Sequence, residues 1–589
     1  MTRRVAPPAV PFIGAVLFGW LVLFAGPVPD ARANDDSASV GSESVRLFRA
    51  DSADALARGA REDLSLDADG TLALAARVEA VARIDEPFAF ATVGLRDGWA
   101  VGTGNAGRVL HVAPDGAVKV LFTASEPEIF ALAADARAPA SGAVAAADAR
   151  TDTLWVGSSP GGRVYRIDLG DGTVEPFFEP DGATYIWALA RDRRGRLLVG
   201  TGLPGRLYRV SKDGKAELLL DGVDRHVRAL TPLADGGVLV GTAGQGRILM
   251  LDEDGRVRTL YDAAHPEIVA FAAVPKRDAA DAAAGEGADA SGGGVLAYAA
   301  ALASEASYVD LSGTNGAAAA VAAAAGSPAV TVDANGGDTI GSRGAGFTGP
   351  RSVLLEIDRD GSVREVWTAD DATVHSLLWH DEALWVGTGP EGRLHRRTDG
   401  RMVIERSLAA RQVTAMANGI GDLGPALVTA NGAGLSTLPG GTERRGVYTS
   451  AVLDAQQVAR FGVLHWRGAL PEGASLQVEV RSGLSAQPDA TWTPWVDAAP
   501  LGDGVDARTI ALSALSAGRY IQWRATFEAR ERGRARGPRV TAVELSYRQE
   551  NLRPRIARFE VLDPGQVLVP QTFNPLSQTF EPWSPNRDG

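Results

Sequence analysis

The chain has 589 residues, a formal net charge of −13 and no cysteine. The length exceeds that of one ordinary domain, and the negative charge argues against nucleic-acid binding or an anionic membrane surface. The lack of cysteine excludes disulfides, thiolate chemistry and an N-terminal lipid-anchored cysteine. Hydrophobic residues make up 45% of the chain, so buried cores are expected rather than a disordered protein.

The N-terminus has the pattern of an export signal. Arg3 and Arg4 precede an apolar run over residues 12–24, and Ala31-Arg32-Ala33 fits cleavage after Ala33. The apolar run is shorter than the ~20 residues that a membrane-spanning helix needs. We therefore expect residues 1–33 to be a signal peptide and the mature protein to be periplasmic or secreted, without a membrane span. Whether export follows the Sec or the Tat route stays open.

Residues 34–75 are expected to form a partly flexible segment, after which a phrase recurs along the chain. The phrase reads Val-Gly-(Thr/Ser), turn residues, then Gly-Arg, with the arginine six positions after the first glycine. Five copies begin at Gly102, Gly157, Gly200, Gly241 and Gly387. Self-similarity at a fixed period is typical of repeat architectures such as propellers.

Each repeat predicts four short strands, with an Asp-Gly hairpin turn before the fourth. The copies at Val156, Val199 and Val240 are 43 and 41 residues apart, close to the ~40–45 residues of a four-stranded blade. We predict an all-β fold, with a seven-bladed β-propeller over residues 76–440. A seventh, degenerate copy lies near Thr429 and lacks a fourth strand. The segment 76–84 is expected to supply that strand and close the ring, which removes an exposed sheet edge.

The copies "LWVGSSPGGRVYRID" and "LWVGTGPEGRLHRR" resemble the bacterial two-component-regulator, YVTN and WD-type propeller repeats. The resemblance covers roughly residues 88–440. It implies the propeller fold, and for function only that such propellers mostly bind proteins, glycans or small ligands.

The fifth blade is interrupted by two long loops, at about residues 276–293 and 304–350. Long loops without clear elements are either functional or disordered, and a composition rich in Ala, Gly and Asp favours disorder. The second loop would open onto the face where the inner strands begin, which we call the top face.

A second all-β unit is expected over residues 446–549, where short alternating strands predict a jelly-roll or fibronectin-like β-sandwich. "VRSG", "TWTPW" and "RYIQWRATF" resemble accessory β-sandwich domains of exported bacterial proteins, some of which bind sugars. Trp492 and Trp495 are candidates for stacking on sugar rings; the alternative is that these tryptophans fill the sandwich core. Residues 550–589, which are rich in proline, are expected to form an extended tail.

Two motifs that imitate catalytic or cofactor signatures are explained by the repeat. Gly102…Gly107 matches a dinucleotide fingerprint, and Gly157-Ser158-Ser159-Pro160-Gly161 matches a nucleophile elbow. Both signatures require a helix after the turn, whereas a strand follows here. We therefore assign no catalytic residue.

The remaining candidates begin the predicted inner strands, one per blade, at the mouth of the central channel. These are Glu86, Glu128, Tyr185, His226, Glu267, Thr373 and Gln412, with Arg228 and His375 close by on the same strands. The carboxylates could bind a polar ligand or a hard cation such as Ca²⁺. The repeat arginines could contribute to a site on the same face, or could pair with carboxylates between blades.

The leading hypothesis is an exported, non-catalytic binding or scaffold protein that recognises a protein, glycan or cell-envelope partner through its top face. One alternative is a metal-dependent propeller hydrolase or lyase of the gluconolactonase type, with Glu86, Glu128, Glu267 and His226 around a cation. Another is glycan binding by the sandwich tryptophans. We expect no cofactor unless Ca²⁺ occupies the mouth, no nucleic-acid partner, and a monomer.

Overall fold

The structure is a computed structural model that describes residues 45–135, 153–276, 294–303, 351–497, 508–531 and 537–550. It also describes the backbone of four short strands at 330–332, 338–340, 571–574 and 579–582. The predicted signal peptide lies outside the described residues, as does most of the two fifth-blade loops and of the proline-rich tail. Within the described ranges, no helix has the length and apolarity that crossing a bilayer requires.

The first elements form a strand-rich N-terminal segment with one short helix. They are β1 (Arg46–Ala50), α1 (Ala53–Ala57), β2 (Ala60–Glu62), β3 (Leu64–Asp67), β4 (Leu72–Leu74) and β5 (Glu79–Arg83). Ser52 caps α1 by accepting a hydrogen bond from the Ala55 N–H.

The next strands form blades, each an antiparallel sheet of four strands. Blade 1 contains β6 (Ala89–Leu95), β7 (Gly98–Thr103), β8 (Arg108–Val112) and β9 (Val118–Thr123). Blade 2 contains β10 (Glu128–Ala134), β11 (Thr153–Ser159), β12 (Arg163–Asp168) and β13 (Val174–Phe178). Blade 3 contains β14 (Tyr185–Arg191), β15 (Leu197–Gly202), β16 (Arg206–Val210) and β17 (Ala216–Asp221). Blade 4 contains β18 (His226–Pro232), β19 (Val238–Ala243), β20 (Arg247–Leu251) and β21 (Val257–Asp262).

Blade 5 begins with β22 (Glu267–Ala273) and β23 (Val295–Leu302), which precede a small pair, β24 (Val330–Val332) and β25 (Asp338–Ile340). It ends with β26 (Ser352–Asp358) and β27 (Val363–Ala369). Blade 6 contains β28 (Thr373–His380), β29 (Ala383–Gly389), β30 (Arg393–Thr398) and β31 (Arg401–Ser407). The last blade contains β32 (Gln412–Ala417), β33 (Ala426–Ala430) and β34 (Gly434–Thr437).

The N-terminal strand β5 completes blade 7. It pairs antiparallel with β34, with Leu435 opposite Ala82 and Thr437 opposite Glu79. The prediction that residues 76–84 supply this strand is therefore confirmed. The inner strands β6, β10, β14, β18, β22, β28 and β32 each contact the next, and β32 contacts β6, so the blades form a closed ring.

Hydrophobic side chains between neighbouring blades hold this ring together. Among the described residues, each of the seven blade-to-blade contacts has its own buried cluster. The cluster between blades 7 and 1, for example, joins Val428 and Leu435 to Trp99 and Val101. The second strand of each blade is buried on both faces, whereas outer strands such as β9 and β17 are largely exposed. The predicted all-β class is confirmed.

The remaining strands form a second unit around one core. They are β35 (Arg445–Thr449), β36 (Leu453–Ala469), β37 (Ala474–Gly483), β38 (Val496–Asp497), β39 (Thr509–Ala511), β40 (Gly518–Ala529) and β41 (Arg539–Gln549). In the tail, β42 (Gln571–Asn574) and β43 (Thr579–Pro582) form a separate two-stranded sheet. Strand β36 pairs first with β40 and then, from Ala459, with β41. The strands of this unit bury a shared core that contains Trp466, Trp523 and Phe527.

The N-terminal segment belongs to this second unit from Arg46 onward. Strand β1 pairs with β41, β2 with β35, and β4 with both β3 and β41. Strand β3 also pairs with β31, the outer strand of blade 6, so one hydrogen-bonded sheet runs from blade 6 into the second unit. The sequence analysis assigned residues 34–75 to a partly flexible segment and did not foresee these pairings.

We expect Leu435→Ala to lower the free energy of unfolding by about 2–5 kcal/mol, because it opens a cavity where blades 7 and 1 meet. Leu218, which is 47% exposed on β17, is the matched control. We expect Leu218→Ala to change the unfolding free energy by less than about 1 kcal/mol. Urea denaturation followed by tryptophan fluorescence measures both. Equal stability of the two variants would contradict a structural role for the closing contact.

Candidate functional site

A β-bulge interrupts every inner strand of the ring at its top end. The pairing register shifts across one residue in each blade, and that residue has no partner in the neighbouring strand. The seven bulge residues are Phe90, Phe130, Trp187, Arg228, Val269, His375 and Thr414. Because a bulge turns the side chain of its extra residue, and because these strands surround the axis, the bulge residues line the channel.

The bulge residues of blades 1 to 3 form a continuous aromatic wall, and Arg228 of blade 4 packs against its end. The ring centroids of Phe90 and Phe130 are 5.1 Å apart, and those of Phe130 and Trp187 are 4.8 Å apart. The Arg228 guanidinium lies 4.5 Å from the Trp187 ring centroid, and Tyr185 stacks on the same indole. Phe90 and Phe130 are half-buried, so part of this wall is open to solvent.

The other side of the channel is less bulky, with Val269, His375 and Thr414. Burial, together with the positive charge of Arg228, lowers the pKa of His375 to about 4. His375 is therefore a neutral imidazole at neutral pH. The channel is thus asymmetric, with aromatic rings and one cation on one side and small or neutral groups on the other.

The residues predicted at the mouth precede the bulge residues by two positions. Glu128, Tyr185, His226, Glu267, Thr373 and Gln412 all begin inner strands, as expected. Glu86 does not, because β6 begins at Ala89 and its bulge is at Phe90. Phe88 holds the equivalent position in blade 1, so the placement of Glu86 was wrong by two residues. Glu86 instead forms an ion pair with Arg108, at 2.9 Å.

The mouth residues pack against the preceding blade rather than forming an open ring. A Cβ atom on Gly104 of blade 1 would lie 2.7 Å from Glu128 Oε2, and one on Gly389 of blade 6 would lie 2.8 Å from Gln412 Cγ. Glycine at these two positions therefore leaves room for the side chains of Glu128 and Gln412. Glu128, His226, Glu267 and Gln412 are all buried.

His226 shows how tight this packing is. Trp187 Nε1–H donates a hydrogen bond of 2.8 Å to His226 Nδ1, and a Cβ on Gly202 would lie 2.3 Å from both nitrogens. Burial lowers the pKa of His226 to about 3, with a further contribution from the charges of Arg228 and Arg225. His226 is therefore a neutral hydrogen-bond acceptor within the wall.

Burial favours the neutral form of Glu128 as well, but here it raises the pKa instead of lowering it. Burial raises the pKa of its carboxyl to about 7, although a hydrogen bond from the Asn105 backbone N–H partly offsets this shift. The residue is 4% exposed, and its Oε2 has no hydrogen-bond partner among the described residues. Glu128 is thus a buried acid that changes its charge near neutral pH.

Because folding raises the pKa of Glu128 from 4.5 to about 7, its contribution to stability is lost as the pH rises through that interval. We expect Glu128→Gln, which cannot ionise, to gain about 3 kcal/mol of unfolding free energy relative to the wild type between pH 4.5 and pH 8. Urea denaturation at both pH values measures the difference. If the unfolding free energies of the variant and the wild type differed by the same amount at both pH values, the Glu128 carboxyl would not be desolvated.

The five repeat arginines contact the connections that lead into their own blades. Three of them form ion pairs with carboxylates on these connections: Arg108 with Glu86 at 2.9 Å, Arg163 with Glu126 at 3.2 Å, and Arg393 with Asp371 at 3.2 Å. Arg206 and Arg247 donate to the backbone carbonyls of Asp181 and Val223. These contacts agree with the interpretation that the arginines hold the blades together.

The described residues do not assemble the cation site of the enzyme alternative. Across them, no three His, Asp or Glu side chains come close enough to share a metal ion. Glu86 is held by Arg108, and Glu128 lies beside Phe90 rather than beside another carboxylate. Because Ca²⁺ takes six to eight oxygen ligands, a single carboxylate does not fit it.

The two candidate stacking tryptophans differ in position. Trp492 is 6% exposed and packs on Gly483, where a Cβ would lie 2.4 Å from its ring, and its Nε1–H donates to Ser485 Oγ. Trp495 is only partly buried, and the guanidinium groups of Arg481 and Arg524 lie 4.4 and 4.6 Å from its ring centroid. Only Trp495 is placed where a ligand could reach it.

We expect Trp492→Ala to lower the unfolding free energy by about 3–5 kcal/mol because it removes a buried indole. Trp495→Ala is the matched control, because it removes a partly exposed ring with two cation contacts. We expect it to lower the unfolding free energy by about 1 kcal/mol. Chemical denaturation measures both values. A larger loss for Trp495→Ala would contradict the assignment of Trp492 to the core.

The sequence analysis missed the aromatic bulge residues. Phe130 and Trp187 occupy the third position of "EIFALA" and "YIWALA", between an aliphatic residue and a small one. An aromatic residue at that position in three successive repeats, counting Phe90, was the available signal.

No protein-family model matches the chain, and no curated protein matches it. Virginiamycin B lyase from Staphylococcus aureus is a similar solved structure, with a TM-score of 0.42 and 11% identity over 62% of this chain and 99% of that one. The WD40 β-propeller domain of Doa1 has a TM-score of 0.39 and 10% identity over 61% of this chain and 96% of that one. YCF48 bound to D1 peptide has a TM-score of 0.39 and 8% identity over the same shares. The propeller is established by the strand pairing of this chain.

Proposed function

We propose that this chain is an exported, non-catalytic binding protein that recognises a polypeptide partner at its top face. A side chain of the partner would enter the channel mouth and contact the wall formed by Phe90, Phe130 and Trp187. The observation that carries the proposal is this aromatic wall, of which Phe90 and Phe130 are half-buried, in a channel closed by seven blades. The export pattern at residues 1–33 supports the location.

The wall has the properties of a recognition surface. Binding sites are typically concave and apolar, with a few polar groups that fix orientation. Here Phe90 and Phe130 offer ring surface, while Glu128 and Arg228 place two ionisable groups on either side of them. Burying aromatic surface in such a site contributes ~25 cal/mol for each Å² removed from water, which offsets part of the entropy lost on association.

The titratable groups favour binding over acid–base catalysis. A general base works best when its pKa is near the operating pH, and the pKa values of His226 and His375 are about 3 and 4. Glu128 has a pKa near neutrality, but its Oε2 reaches no hydroxyl or imidazole partner among the described residues that it could activate.

Selection of peptides from a random library on the immobilised mature protein tests this proposal. We expect selected peptides to bind the wild type and to lose at least tenfold in affinity with Phe130→Ala, because that change removes the centre of the wall. Isothermal titration calorimetry with synthetic peptides measures the affinities. Val120→Ala, on the exposed outer strand β9, is the matched control and should bind as the wild type does.

Peptides that bind Phe130→Ala as tightly as the wild type would overturn the top-face proposal. Binding of sugars that is lost with Trp495→Ala, without any peptide binding, would favour the glycan alternative instead. A calcium-dependent hydrolysis or elimination reaction that is lost with Glu128→Gln would favour the enzyme alternative.

A further inference from the structure

Glu128 is a buried acid that the surrounding fold leaves incomplete. Among the described residues, its Oε2 accepts no hydrogen bond, and no charged side chain contributes to its pKa. Burying a carboxylate without a partner is costly, and an unsatisfied buried group in a folded protein calls for an explanation. A ligand that completes this group is one such explanation.

One aromatic ring adjoins this carboxyl, and a second ring packs against the first. A Cβ on Gly104 would lie 2.7 Å from Glu128 Oε2 and 2.5 Å from Phe90 Cε2, so these two atoms meet over the same glycine. Phe130, two residues after Glu128, packs against Phe90 with ring centroids 5.1 Å apart. The three side chains form a corner between blades 1 and 2, which we call the blade 1–2 corner.

The chemistry of the corner selects for an organic cation. An ammonium group can donate charge-assisted hydrogen bonds to the carboxylate while its charge is attracted to the ring faces. An anion would be repelled by Glu128, and a neutral alkyl group would leave Oε2 unsatisfied. The next part of the same wall already holds a cation, since Arg228 stacks 4.5 Å from the Trp187 ring centroid.

We propose that the blade 1–2 corner, formed by Glu128, Phe90 and Phe130, binds the ammonium group of a lysine side chain that a polypeptide partner presents to the channel mouth. This inference rests on the proposed function and names the group that the site recognises. A lysine side chain suits the corner because its apolar stem can lie along the rings while its charged end reaches the carboxylate.

Occupancy is coupled to the charge of Glu128. The elements around it contribute Phe90 from β6, Gly104 and the Asn105 N–H from the β7–β8 turn, and Ser159 opposite it on β11. Glu126, two residues before Glu128 along the chain, is paired with Arg163. Because the pKa of Glu128 is about 7, its ionised fraction rises about tenfold between pH 6 and pH 8.

Titration of the full mature protein with n-butylammonium, followed by saturation-transfer NMR, tests the corner directly. n-Butanol, which has the same apolar stem without the charge, is the neutral control. We expect n-butylammonium to bind about tenfold more tightly at pH 8 than at pH 6, and n-butanol to bind weakly at both. Glu128→Gln should abolish the pH dependence and weaken binding of the cation at least fivefold.

Two further variants keep the result interpretable. Phe130→Leu retains an apolar residue but removes the ring, and should weaken n-butylammonium binding without removing its pH dependence. Glu179→Gln removes a carboxylate from the exposed surface of the same blade and should leave binding unchanged. Equal binding of n-butanol and n-butylammonium, or pH-independent binding, would overturn the inference, because a bound water would then suffice to complete Glu128.

The outcomes separate this inference from the proposed function. Selected peptides that bind the wild type and Glu128→Gln equally would leave the binding function standing and overturn the lysine site. Binding of n-butylammonium with the expected pH dependence, in a protein that selects no peptide, would support the cation site and overturn the polypeptide partner. Selected peptides that lose affinity when their lysine is replaced by norleucine would support both.

Discussion

The antiparallel pairing of β5 with β34 is the contact on which the rest of this structure depends. It gives blade 7 its fourth strand and brings the N-terminal part of the chain to the blade formed last. The closed ring then buries a hydrophobic cluster at every blade-to-blade contact. Because β5 is held there, the residues before it are placed beside the second unit, where β1, β2 and β4 pair with its strands. A blade left open at this point would expose an unpaired strand edge.

The same ring closure builds the candidate site. Seven inner strands converge on one axis, and each carries a bulge that turns one side chain toward the channel. Among the strand-start residues two positions earlier, Glu128, His226 and Gln412 face a glycine of the preceding blade that leaves room for them. The repeat therefore produces two tiers with different roles: the buried tier joins the blades, and the bulge tier forms the surface that a ligand meets. Glu128 belongs to the first tier but adjoins the second at Phe90.

Charge is distributed according to the same division. The repeat arginines lie at the blade connections, where carboxylates and backbone carbonyls accept their hydrogen bonds. The ionisable groups in the channel are instead desolvated, which raises the pKa of Glu128 and lowers those of His226 and His375. Surface ion pairs of this kind contribute little stability individually. Desolvated groups respond strongly to a ligand. The functional proposals therefore concern the channel and not the repeat arginines.

The sequence by itself determined the strand pattern, the propeller and the strand that closes it, because turn chemistry and alternating burial are local properties that repeat with the blade. It also placed Glu128, His226 and Gln412 at strand starts. Only the tertiary structure decided that Glu86 pairs with Arg108, that Trp492 is buried, and that residues from Arg46 onward join the second unit. The aromatic wall likewise required the fold, because a bulge that shifts the register by one residue reverses which side chains face the channel.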